Sequence, residues 1–315
     1  MSRRVFTVVL AAGVLAAWVP RASADPALAE RRSALEASVT CPARFVHRAH
    51  EPVLLVHGTA TTPEESWSWN YGQVLPELGF DTCTVRLPDR ALGDIQRSAE
   101  YVVHAIRTIS SLGGRRVDVV GHSQGGMMPR WVLKFWPSLR RLVDDYVALA
   151  PPQHGAYSAD ATCPRTCAPA VQQMKTTSRF MRALNAGRPA LGVDWTNIYS
   201  LTDELVQPVL PEPTAAVAGA ANILIQDLCP GRPVHHGGLL HDAVVYRLVM
   251  DALTHRGPAD PGRFDTVACA VTTAPGVTAV AAASGNALLY GNAVQAFAAY
   301  PGSEEPPLRA YARPR

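Results

Sequence analysis

The stretch from Arg115 to Pro137 constrains the fold of this chain more than any other. Val117, Val119 and Val120 make an apolar run of the kind a buried strand shows. Met127, Met128, Trp131, Val132 and Phe135 recur at helical spacing. Between them lies Gly121-His122-Ser123-Gln124-Gly125, a Gly-x-Ser-x-Gly sequence joining strand to helix. That context predicts a very tight turn, which holds Ser123 in a strained backbone conformation and lifts its hydroxyl clear of the sheet. Gly121 and Gly125 keep side chains out of the crowded turn. The free amides and positive dipole end of the following helix would face any anion formed beside the serine. Without the flanking strand and helix, the same five residues would read as an ordinary loop. Pro129, early in the helix, is expected to remove a hydrogen bond and introduce a small kink.

The remainder of the chain is read around that turn. At 315 residues and 48% apolar composition it can bury a large core, and length alone allows one domain or two. Residues 1–24 read as a leader. Arg3 and Arg4 precede an apolar run from Val5 to Val19, and Ala22-Ser23-Ala24 makes a small-residue cleavage site. The run is short for a bilayer span, which disfavours a membrane anchor. Ser2-Arg3-Arg4-Val5-Phe6 also resembles a twin-arginine signal, so both export routes stay open. An exported, extracellular protein is expected, with residues 25–315 forming a single catalytic domain. The leader holds three arginines and no acid, so the 29 basic residues of the chain fall to 26 outside it, against 26 acidic. That balance, without a basic-aromatic patch, argues against a nucleic-acid partner.

Six cysteines in an exported chain suggest disulfides, and chain order suggests Cys41–Cys83, Cys163–Cys167 and Cys229–Cys269. A thiolate metal site at Cys163 and Cys167 would need a second ligand pair, and none lies nearby in the sequence.

Along the chain, residues 25–50 are a polar lead-in. A buried strand is expected over 52–57, a short helix over 71–78 and a strand over 81–86. Ile95, Ala99, Val102, Val103, Ile106 and Ile109 keep the period of an amphipathic helix packed on a sheet. Further strands are expected over 146–149, 197–201 and 222–226, with helices over 178–185 and around Val244 to Ala252. Strand–helix alternation of this kind implies an α/β class with a mostly parallel central sheet flanked by helices. Residues 152–175 break the alternation and read as a lid-like excursion or a stapled surface loop. The apolar, almost uncharged stretch 275–300 reads as a helical pocket wall or as core.

A serine hydroxyl is a poor nucleophile until a base takes its proton, and the base needs a carboxylate to orient it. In folds of this kind the chain order is serine, acid, histidine, each just past a strand end. Asp203 follows the strand expected over 197–201, and His236 lies in a Gly-rich turn opening a helix. Asp194 and Glu204 compete as the acid, and His235 and His241 as the base. Asp194 precedes its strand, Glu204 would face away from Asp203, His235 lies on the wrong side of the turn, and His241 lies within the helix. The amide of Gln124, with Thr59 from the loop after the first strand, is the expected oxyanion hole. His57 beside Gly58 reads as architectural. A metal held by His235, His236, His241 and Asp242 would lack a carboxylate scaffold elsewhere. No cofactor is expected.

At this point the chain resembles the Candida antarctica lipase B family of the α/β-hydrolase superfamily, from about Cys41 to Arg313. The resemblance rests on Pro52 to Thr62, Ser123-Gln-Gly-Gly126, Asn197 to Pro208 and Tyr311 to Pro314. It implies Ser123, Asp203 and His236 as the triad, and Thr59 and Gln124 as the oxyanion hole. It adds Gln173, Leu205 and Val206 as substrate-pocket residues. Cys41–Cys83 and Cys229–Cys269 match the family's bridges in spacing. The chain departs from the family in carrying His122 where a tryptophan precedes the serine, in lacking an acidic pocket residue near Pro152, in adding the Cys163–Cys167 pair, and in lacking a C-terminal bridge. The implied activity is hydrolysis of carboxylic esters through an acyl-enzyme, with a small-molecule ester or lipid substrate and transient contact with a lipid interface. A monomer is expected. An acyltransferase or polyesterase would use the same residues. A non-catalytic binding protein on this fold would ordinarily have lost Ser123 or His236.

Overall fold

The computed structural model describes residues 24–163, 165–189 and 192–314. The leader expected over 1–24 lies, Ala24 apart, outside the described residues. Seven strands form one sheet: β1 (Val39–Thr40), β2 (Val53–Val56), β3 (Thr82–Val85), β4 (Val117–His122), β5 (Val143–Leu149), β6 (Asp194–Tyr199) and β7 (Ala221–Leu224). Their order is β1-β3-β2-β4-β5-β6-β7. Every pairing is parallel except β1 with β3.

The alternation of side chains along each strand divides the core into two layers. Leu54, Val56, Val119, Tyr146 and Ala148 face one, and Val53, Leu55, Val120, Val147 and Leu149 face the other. The helices Ile95–Gly113 and Gln124–Phe135 cover the first layer with Val102, Ile106, Met128 and Trp131. The helix Ala243–Thr254 covers the second with Val244, Val245, Leu248 and Val249. All four residues of β2 are fully buried, each worth about 1.5–3 kcal/mol relative to exposure. The helix Gln124–Phe135 runs unbroken through Pro129.

Several boundaries differ from the sequence expectations. β1 was absent from them: two residues are too short for a periodic signal, and β1 is set beside β3, to which Cys41–Cys83 ties the chain. β6 begins at Asp194, because Asp194 and Trp195 pair with Asp145 and Tyr146. β7 ends at Leu224, and Ile225–Leu228 turns helical. The excursion over 152–175 folds partly as two short helices, Tyr157–Thr162 and Pro169–Gln173. The Cys163–Cys167 disulfide lies between them, and paired backbone hydrogen bonds join Cys167 to Ser303. The third disulfide is Cys229–Cys269. Residues Ala279–Ala299 form a single helix. Among the described residues no helix is long and apolar enough to cross a membrane.

Candidate active site

The turn after β4 has the strain its sequence implies. Ser123 adopts φ 57° and ψ −127°, a conformation that few L-residues take. Its amide donates to the Leu149 carbonyl at 2.8 Å, and its own carbonyl accepts from Gly126 and Met127 as the helix starts. A Cβ at position 121 would collide with the Gly125 carbonyl, and one at position 125 with the carbonyls of Val56 and His57. Glycine at both positions is therefore a steric requirement. The Gln124 amide is the first of the helix and has no partner within its ladder.

Asp203 and His236 meet beyond the ends of β6 and β7. His236 Nδ1 lies 2.8 Å from Asp203 Oδ2, and the two residues are 5% and 2% exposed. The other Asp203 oxygen accepts from the amides of Leu205 and Val206, both at 2.8 Å. Burial alone would raise the Asp203 carboxyl, but the His236 charge, its hydrogen bond and the two amides outweigh burial and hold it below the usual range. Burial also pulls the imidazole down, and the Asp203 charge and hydrogen bond, with Glu204, outweigh that and raise it. With Nδ1 engaged by a buried carboxylate, the proton sits there and Nε2 is left as the acceptor.

His122, beside the serine, is fixed against this imidazole. The two rings lie 4.6 Å apart, and His122 Nε2 is 3.0 Å from the His236 carbonyl. A carbonyl only accepts, so His122 carries its proton on Nε2. Burial first, and the His236 charge second, push His122 down to about 3, which keeps it neutral. His57 is likewise fully buried and pushed down to about 4 by burial. Its Nε2 accepts from the Leu87 amide at 3.1 Å, so its Nδ1 proton goes to the Gly58 carbonyl.

Thr59 Oγ1 accepts from the side-chain amide of Gln124 at 3.0 Å, and that amide also donates to the Ala91 carbonyl. The hydroxyl proton of Thr59 is thereby directed elsewhere, with Met174 Sδ at 3.9 Å its nearest acceptor. Leu205 is 39% exposed and Val206 buried. Gln173 is fully buried, with its carbonyl oxygen accepting from the Ile95 amide and its nitrogen donating to Asp94. Both ends of its side chain thus serve the start of the Ile95–Gly113 helix. A hollow of about 390 Å³ opens among Thr61, Thr62, Arg86, Pro88 and Arg90, and contains none of Ser123, Asp203 or His236.

Glu204 competes with Asp203 in sequence but takes a different position. Its Oε2 accepts from the His236 backbone amide at 2.9 Å, and its Oε1 accepts from the Tyr290 hydroxyl at 2.7 Å. Tyr290 in turn accepts from the Gly237 amide at 2.9 Å. Glu204 and the helix Ala279–Ala299 therefore clamp the histidine turn from behind. We expect Glu204→Ala to lower kcat for ester hydrolysis about tenfold with KM unchanged, the loss of one charge-assisted hydrogen bond to a positioning group. Glu204→Gln should retain most activity; equal loss in both variants would refute a positioning role.

The chain is similar to lipase B of Pseudozyma antarctica, with 33% identity over 96% of this chain and 93% of that protein. The chain belongs to the class 2 lipase family. The family model matches residues 50–229, and the sequence resemblance to lipase B is thereby borne out. Aspergillus fumigatus lipase B superposes with a TM-score of 0.86 at 32% identity, covering 93% of this lipase and 74% of that chain. A mature Bacillus licheniformis lipase shares the fold at 18% identity, with a TM-score of 0.55 over 69% of this chain and 98% of its own. This lipase is a carboxylic ester hydrolase on an α/β-hydrolase fold, acting on small-molecule ester or lipid substrates.

Proposed function

We propose that this lipase cleaves its esters through an acyl-enzyme on Ser123. His236 Nε2 takes the Ser123 proton as Oγ bonds to the ester carbonyl carbon. The charge that develops on the carbonyl oxygen is met by the Gln124 amide and by Thr59. The alkoxy C–O bond then breaks, and His236 returns the proton to the leaving alcohol. Water enters by the same steps in reverse order of partners and releases the acid. Asp203 holds the imidazole in the tautomer that leaves Nε2 open. The observation that carries this reading is the buried 2.8 Å contact of His236 Nδ1 with Asp203, its ring 4.6 Å from that of His122, which precedes a serine on a strained strand–helix turn. We further propose export with removal of residues 1–24, action outside the cell as a monomer, and a single catalytic domain over 25–315. Three disulfides support the oxidising compartment.

The test is hydrolysis of p-nitrophenyl esters from acetyl to palmitoyl by the mature protein. Turnover is expected, and its optimum separates a long-chain lipase from a short-chain esterase; no turnover of any ester would overturn the proposal. The pH profile adds a second check. The base must be neutral, and His236 is raised above the usual imidazole value of 6.5. The acid limb of kcat/KM is therefore expected above pH 6.5, with activity lost as pH falls through it.

A further inference from the structure

A cluster of carboxylates lies at the amino ends of two central strands, away from Ser123. Asp118 is the second residue of β4, while Asp144 and Asp145 are the second and third of β5. Ser123 follows Asp118 by five positions, roughly 16 Å of extended chain. The β4–β5 register shifts at this place: Val117 pairs with Val143, but Val119 pairs with Tyr146. Two residues of β5 therefore oppose Asp118 alone, a β-bulge. In a regular strand Asp144 and Asp145 would point to opposite faces. The bulge instead turns both toward Asp118, and one oxygen from each of the three lies within 4.8 Å of the others. That is the largest separation at which two oxygens can both stand about 2.4 Å from a single calcium ion.

The local charges are unbalanced. Asp118 and Asp145 are buried, at 2% and 6% exposed. Asp118 accepts from the Asp145 amide, which the bulge frees from the ladder. The Asp145 carboxylate accepts no hydrogen bond from any described residue, and its Oδ1 is sealed from solvent. Arg116 is the nearby cation, and it is already engaged by Asp144 at 2.7 Å and by the Val143 carbonyl. Arg115, the neighbouring cation, pairs instead with Glu51 at 3.5 Å, just before β2. The buried, unpartnered Asp145 oxygen, set within 4.8 Å of two further carboxylates, makes a place for a cation.

We propose that Asp118, Asp144 and Asp145 bind one calcium ion, which pins β4 to β5 at the bulge. The donor set is oxygen throughout, which selects a hard cation over zinc or copper. Asp144 keeps a partly exposed side chain, so the ion has a path in and water completes its shell. The role is structural, since the site and Ser123 lie at opposite ends of β4.

The test uses the full-length mature protein stripped with EDTA and titrated with calcium chloride by calorimetry. One equivalent bound per chain is expected. Its melting temperature should rise about 5 °C at a calcium concentration a hundredfold above Kd. Asp118→Asn and Asp145→Asn should each lose that calcium-dependent rise, and both should hydrolyse p-nitrophenyl butyrate at the wild-type rate without calcium. Three outcomes would overturn the proposal. The wild type could show neither stoichiometric binding nor a thermal shift, in which case the pair is kept neutral by protons. The shift could persist undiminished in both variants, which would place the ion elsewhere. Magnesium could bind more tightly than calcium, which would refute the calcium assignment.

Discussion

Replacing Ser123 with alanine is expected to lower kcat for every ester by about 10⁶-fold, to the residual level that an oxyanion hole and substrate binding provide without a nucleophile. The size of the effect follows from the proposed triad acting as a unit, in which the histidine would have nothing to deprotonate once the hydroxyl is gone. The substitution suits the test because it leaves the fold alone. Alanine keeps the Cβ, so the strained φ of 57° costs the variant no more than it costs the wild type. The Ser123 backbone bonds to Leu149, Gly126 and Met127 do not involve the lost oxygen. The melting temperature should therefore stay within about 1–2 °C of the wild type, in line with a surface-type change in stability. An active-site titration with a p-nitrophenyl ester should give a burst of one acyl group per wild-type chain and none in the variant. Activity within tenfold of the wild type, in a folded variant, would place the nucleophile elsewhere.

The parts of this fold that were legible in the sequence share a physical trait: their signal is local. The apolar run of β4, the Gly-x-Ser-x-Gly turn and the helical spacing after it lie within 23 residues, and each level of the signal agrees with the next. The amphipathic stripe from Ile95 to Ile109 was equally plain, and its residues are buried as expected. What escaped depends on contacts between distant segments. His122 departs from the lipase B pattern, yet its bond to the His236 carbonyl spans 114 residues and leaves no periodic trace. Adjacent side chains on an extended segment diverge, so Glu204 reads from sequence as facing away from Asp203. It does diverge from Asp203, and it reaches the backbone amide of the same histidine that Asp203 holds by its ring. The only trace in the sequence is Tyr290, one of several polar side chains in the uncharged 275–300 stretch, and nothing local singles it out. The bulge at Asp118 had no signal at all, since one extra residue in β5 is invisible until β4 is laid beside it. Position 173 teaches the opposite lesson. The resemblance implied a pocket role for Gln173, but the neighbours of its amide, Asp94 and Ile95, tie it to the start of a helix 78 residues earlier.

Asp203→Asn is expected to lower kcat about 10⁴-fold while leaving KM near its wild-type value, because the change inverts a tautomer and removes no substrate contact. The two oxygens of Asp203 are not equivalent. Oδ1 accepts from the amides of Leu205 and Val206, both at 2.8 Å, and Oδ2 faces His236 Nδ1 at 2.8 Å. Both backbone amides require an acceptor, so the asparagine will keep its carbonyl oxygen there. Its NH₂ group then occupies the Oδ2 position and donates to Nδ1. The imidazole must move its proton to Nε2, the atom proposed as the base, which then cannot accept one from Ser123. The isosteric change keeps the hydrogen-bond count, so the variant should fold and melt close to the wild type. Asp203→Glu supplies the control. Its carboxylate keeps the charge and the correct tautomer, so it should recover activity over the asparagine variant despite a displaced oxygen. The comparison is made by steady-state kinetics on p-nitrophenyl butyrate. An asparagine variant within tenfold of the wild type, or a glutamate variant no better than asparagine, would show that the His236–Asp203 contact is structural and that the charge on residue 203 does not act through the imidazole.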